Sequence, residues 1–139
     1  MSTQQAVLEA ARCTLQAEPH LRWAYLFGSA ARGEHFRDVD IAVMPAASMP
    51  QGAVALGMVV ANLEQAVGIK VDLVDLSQPD LPFVGPMLTE RVVLLDREPQ
   101  ARRTWEAGTT SRWLDFKPSY EEFLDRRNRA MRERLERKD

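Results

Sequence analysis

The chain has 139 residues, 45% of them hydrophobic, which suits one domain with a proper core and is too short for two. Its 18 basic and 20 acidic side chains nearly cancel to a formal net charge of -2, so the basic excess of a protein that wraps duplex nucleic acid is missing and direct nucleic-acid binding is not expected. The single cysteine, Cys13, excludes an intrachain disulfide and a multi-cysteine zinc site, and reads as a small apolar residue on a helix.

The opening Met1-Ser-Thr-Gln-Gln has neither the basic start nor the apolar run of a secretory signal. No apolar stretch approaches the roughly 18 residues that cross a bilayer. A soluble, cytoplasmic protein with no membrane partner is expected. From Gln4 to Gln16, Val7, Leu8, Ala11 and Leu15 recur at helical spacing and predict an amphipathic helix, closed by Glu18-Pro19-His20. Trp23-Ala-Tyr-Leu-Phe27 is short, aromatic and bounded by Gly28, the pattern of a buried strand. A glycine-bearing turn from Gly28 to Arg37 leads into a second strand, Asp38 to Met44, which Pro45 closes.

Beyond the loop Ala46 to Pro50, the spacing from about Gly52 to Val67 predicts a core-facing helix with Gly68 at its C-cap. A third strand spans Ile69 to Leu76. Ser77-Gln-Pro-Asp80 then enters a short helical or irregular piece punctuated by Pro82, Gly85 and Pro86, and Arg91 to Leu95 forms a fourth strand. Asp96 to Thr110, with Pro99 and Gly108, is ambiguous, whereas Ser119 to Asp139 is expected to be a long, charged, mostly solvated helix. Interleaved helices and strands imply one α/β (α+β) domain with a mixed sheet of about four strands. Its core spans about residues 4–96, and a helical extension covers about 100–139.

Three carboxylates lie where a strand makes charge costly. Asp38 and Asp40, two apart in an extended segment, project to one face, while Val39, Ile41 and Val43 take the other. Neighbouring carboxylates repel unless a cation sits between them, and a hard divalent ion with oxygen ligands meets that need. Asp72 can complete a cluster of three if its strand pairs beside the second; Asp75, three residues on, points to the opposite face. Upstream, the Phe27-Gly-Ser29 turn with Arg32-Gly33 can bring backbone amides, a hydroxyl and a guanidinium to a phosphate. No Gly-Lys-Ser/Thr follows, so this is not a Walker loop. A triphosphate on the loop and metal on the aspartates is the logic of nucleotidyl transfer.

Leu26-Phe-Gly-Ser-Ala-Ala-Arg-Gly-Glu34, Asp38-Val-Asp-Ile-Ala-Val43 and Val71-Asp-Leu-Val-Asp-Leu76 resemble the DNA polymerase β-type nucleotidyltransferases. With the chain length and the C-terminal helix, they resemble more narrowly the MNT-type minimal nucleotidyltransferases, antitoxins encoded beside HEPN-domain RNases. The resemblance implies a polymerase β-like fold and transfer of AMP from ATP to a tyrosine of the HEPN toxin. It also implies Gly28 and Ser29 on the triphosphate, and two Mg2+ ions on Asp38, Asp40 and Asp72, with Asp72 also helping to deprotonate the attacking hydroxyl. In one departure, the loop from Ala30 to Arg37 has eight residues and is shorter than the family usually has.

Two other functions fit the same motif. One is a small-molecule nucleotidyltransferase of the aminoglycoside type, although those relatives usually add a second helical domain. The other is an inactive antitoxin that neutralises its toxin by contact, which the shortened loop favours. Arg32 reads equally as a phosphate contact or a solvated loop residue. His20 and His35 read as plain polar positions. Trp105 and Trp113 either pack the C-terminal helix onto the body or sit at a partner interface. The arginines from 126 to 137 either lace a solvated helix through i,i+4 pairs or form a docking surface for a toxin or RNA.

Overall fold

The computed structural model describes residues 3–50, 53–78 and 80–137. The expected helix start at Gly52, Pro79 of the following loop and the last two residues of the C-terminal helix lie outside these. Helix α1 (Thr3–Gln16) turns Val7, Ala11 and Leu15 inward at four-residue spacing. Strand β1 (Leu21–Phe27) begins two residues before the sequence expectation, because Leu21 is also buried. The expected turn contains a one-turn helix, α2 (Gly28–Ala31), ahead of strand β2 (Val39–Pro45). Helix α3 (Ala53–Val67) buries Val59 and Leu63, and strand β3 (Val71–Asp75) is shorter at both ends than expected. Helix α4 (Leu81–Met87) carries Pro82 in its first turn, where the missing N–H has no intrahelical partner to lose. Strand β4 (Val92–Asp96) precedes helix α5 (Pro99–Arg137).

The four strands form a mixed sheet in the order β3-β2-β1-β4. β1 runs antiparallel to both β2 and β4, while β2 and β3 are parallel. Alternation along β1 and β2 sorts their side chains between two cores. Leu26, Val39, Ile41 and Val43 pack with residues of α1 and α3 on one face. Trp23, Tyr25, Ala42 and Met44 pack with α4 and Trp105 on the other.

The ambiguous stretch from Asp96 to Thr110 is helical almost throughout. α5 opens at Pro99 and runs 39 residues through Gly108 and Pro118. Its first half buries Arg102, Thr109 and Trp113, whereas past Tyr120 every described side chain except that of Leu124 is exposed. The two tryptophans pack α5 onto the body. Trp105 stacks 5.8 Å from Trp23 and 6.4 Å from Tyr25 (centroid to centroid), and Trp113 lies against Gly85. A partner-facing role for Trp113 is thereby overturned, since its ring is already covered.

Candidate active site

The site gathers where β1 ends. Gly28 follows Phe27 with φ +72, a conformation that side-chain-bearing residues rarely adopt, and a Cβ there would lie 2.3 Å from Asp40 Oδ2. The glycine is needed on both counts. It lets the backbone turn at once into α2 and brings the chain against a carboxylate. Ser29 is partly exposed in that single turn. Gln4 of α1 fixes the far end, its Nε2 donating to the carbonyls of Ala30 at 2.8 Å and Ala31 at 3.2 Å. Gly33, at φ +74, then turns the chain towards β2. The short loop therefore still seats Gly28 on Asp40.

Strand register brings the carboxylates together. Asp40 lies opposite Phe27 of β1 and beside Asp72 of β3 in the parallel pair. Both aspartates take the face that Tyr25, Ala42 and Val74 share, as alternation requires. Asp38 is a correction in detail: β2 starts at Val39, so Asp38 is an exposed bend residue just before the strand and not part of it. Its charge still reaches Asp40. Burial, then the negative charges of Asp72 and Asp38, push the Asp40 carboxyl above its ordinary pKa, and Arg32 opposes them. Asp72 is half exposed, with Lys70 Nζ 3.8 Å from its Oδ1. Asp75 falls on the other face, where its Oδ1 accepts from the backbone N–H of Ser77 at 2.8 Å and from its hydroxyl at 2.7 Å. It holds a turn.

Among the described residues, no three carboxylate, imidazole or thiol groups close into a metal cage. The donor set nevertheless fits a hard divalent ion. It consists of carboxylate oxygens alone, on adjacent strands, facing one another at an electrostatic cost that a cation removes.

Arg32 lies beside the loop and is already engaged. Its Nε donates to Glu34 at 2.6 Å, its Nη1 pairs with Glu90, and its Nη2 stands 3.3 Å from Ser29 Oγ. These carboxylates hold the guanidinium well above its ordinary pKa, so it stays charged next to Ser29. With Phe27, Gly28, Phe83 and Met87 it lines a cleft of about 280 Å³. Phe27 and Phe83 meet edge to face at 5.4 Å. Sequence reasoning missed Gln4, Phe83 and Glu90, because each reaches the site from a distant element and none belongs to a motif. His35 is exposed, and His20 Nδ1 lies 3.0 Å from Ser48 Oγ, in keeping with a turn residue.

Residues 9–100 match the family described as polymerase beta, nucleotidyltransferase. No curated protein matches the chain. Solved structures do. The chain is 26% identical to the MNT antitoxin in a complex with tri-AMPylated Shewanella oneidensis HEPN toxin, with a TM-score of 0.68 over 88% of this chain and 96% of that one. A toxin–antitoxin structure with AMP-PNP contains a chain 26% identical, with a TM-score of 0.66 over 88% and 95%. A mutant toxin–antitoxin complex contains one 25% identical, with a TM-score of 0.69 over 90% and 97%. Among the described residues, no helix is long and apolar enough to cross a membrane.

Proposed function

The chain belongs to the polymerase beta nucleotidyltransferase family, and from that premise we propose that it is an antitoxin which transfers AMP from ATP to a tyrosine of a HEPN-type RNase toxin in the cytoplasm. The observation that carries this reading is the meeting of Asp40 with Asp72 across the β2–β3 register, with the Gly28-Ser29 turn seated against Asp40. Similarity to an antitoxin found with an AMPylated HEPN toxin, and to a complex holding an ATP analogue, supports the donor and the acceptor.

In the reaction the tyrosine oxygen forms a bond to the α-phosphorus as the bond from that phosphorus to the bridging oxygen breaks, and pyrophosphate leaves. Asp38, Asp40 and Asp72 would hold two Mg2+ ions, whose charge, when bound, neutralises the triphosphate and the departing pyrophosphate. The backbone at Gly28 and the hydroxyl of Ser29 bind phosphate oxygens. Arg32 adds a fixed positive charge beside Ser29. Asp72, half exposed, takes up the tyrosine proton at its carboxylate. The experiment is incubation of the protein and its adjacent toxin with magnesium and ATP labelled at the α-phosphate or at the γ-phosphate. Label from the α-phosphate alone should enter the toxin. Label from the γ-phosphate would replace nucleotidyl transfer with phosphoryl transfer.

A further inference from the structure

The distal half of α5 carries an apolar stripe that nothing in the chain covers. Phe123 is 58% exposed, Met131 54% and Leu135 65%, in a segment otherwise dense in charge. At 3.6 residues per turn, Phe116, Tyr120, Phe123, Leu124, Met131 and Leu135 fall within about one third of the helix circumference. Phe116 and Phe123 are seven residues apart, as are Leu124 and Met131, the repeat by which two helices pack side by side. The rest of the surface offers weaker candidates. The exposed face of α3 is uncharged but made largely of small residues, and the Arg32 cleft belongs to the active site.

The charges along this arm say what covers it. Glu121, Glu122 and Asp125 lie on its body-proximal part, and Arg129, Arg132, Arg134 and Arg137 on its distal part. Parallel pairing of two such arms would set like charge against like. Antiparallel pairing sets the acidic part of each against the basic part of the other. We propose that the distal half of α5 is a self-association surface, on which a second copy of this chain packs antiparallel. One register satisfies both the stripe and the charges. With the two-fold axis between Arg127 and Asn128, Leu124 meets Met131 of the second copy, Tyr120 meets Leu135, and Glu121 lies beside Arg134. The overlap runs from Pro118 to Arg137, a length of roughly 30 Å at 1.5 Å per residue. Such a C2 interface is isologous, so each contact occurs twice.

The test is the molar mass of the full chain, without any other protein, by light scattering across the micromolar range. The wild type should have twice the mass of one chain. Leu124→Asp and Met131→Asp should each return it to one chain, with the thermal transition of the body unchanged because both positions lie on the arm. Glu121→Arg and Arg134→Glu should each weaken the dimer by roughly 3–5-fold, the scale of two exposed ion pairs lost by symmetry, and the double swap should restore it. A single-chain mass for the wild type at every concentration would overturn the proposal. So would a dimer that survives both apolar variants, or an arm protected from proteolysis only when another protein is added.

Discussion

Asp40 stands at the centre of the site and carries a cost. Burial and the charges of Asp72 and Asp38 raise its pKa, so its ionised form destabilises the fold at neutral pH. Stability from this group is fully present below the unfolded-state pKa and is lost as pH rises through the higher folded-state value. Asp40→Asn should therefore raise the Tm of the nucleotide-free protein at neutral pH by roughly 2–5 °C, the effect of under about 1 kcal/mol in a chain this size. The same substitution, like Asp38→Asn, should lower transfer by more than the roughly 10–100-fold that loss of an outer partner of a metal site costs. Retained activity in both variants would take these residues out of the site. Asp72 and Asp75 are separated by strand alternation alone: one stands beside Asp40, the other holds the Ser77 turn. Asp72→Ala should abolish transfer and Asp75→Ala should keep most of it, as labelled-ATP assays would report. The reverse result would reverse the assignment of β3's two faces.

At the scale of elements, α5 is held to the body by a polar network beneath an aromatic cover. Tyr25 donates to Glu106 at 2.9 Å, Arg102 donates to Glu106 at 2.6 Å and to Asp96 at 3.0 Å, and Arg91 also pairs with Glu106. Burial pushes the Glu106 carboxyl up, but hydrogen bonds from Arg91, Arg102 and Tyr25 outweigh it and leave the pKa below the ordinary range. For a depressed carboxyl, stability holds above the unfolded-state pKa and is lost as pH falls through the folded-state value. Glu106→Gln should cost about 2–3 kcal/mol at neutral pH, because it leaves Arg91 and Arg102 without their anion. The difference from wild type should shrink in urea titrations below pH 4, where the wild type loses the same pairing. This network explains what the sequence hid. Arg102, Glu106, Thr109 and Trp113 recur at helical spacing, yet three of the four are polar, so a search for apolar periodicity passes over a buried helix face. β1 and β2 were legible for the opposite reason. They are buried on both faces, and their residues are correspondingly apolar or aromatic. The aspartates were legible because they interrupt such strands. The partners of Arg32 were not, since Glu90 lies 58 residues away in sequence.

On the scale of the whole molecule, the sheet divides two kinds of work. The α1–α3 face is closed and supplies core, while the α4–α5 face bears the Asp40–Asp72 pair at one end and sends the arm of α5 outward. An acceptor must then be brought to the site by another molecule, with its hydroxyl in line with the α-phosphate. A tyrosine on a toxin meets that need. The measurement that tests this most directly is the intact mass of the adjacent HEPN-type toxin after incubation with the protein, ATP and magnesium. The toxin should gain mass in steps of one AMP and lose RNase activity in parallel. A toxin that is neutralised while its mass is unchanged would contradict the account and leave binding alone as the antitoxin mechanism.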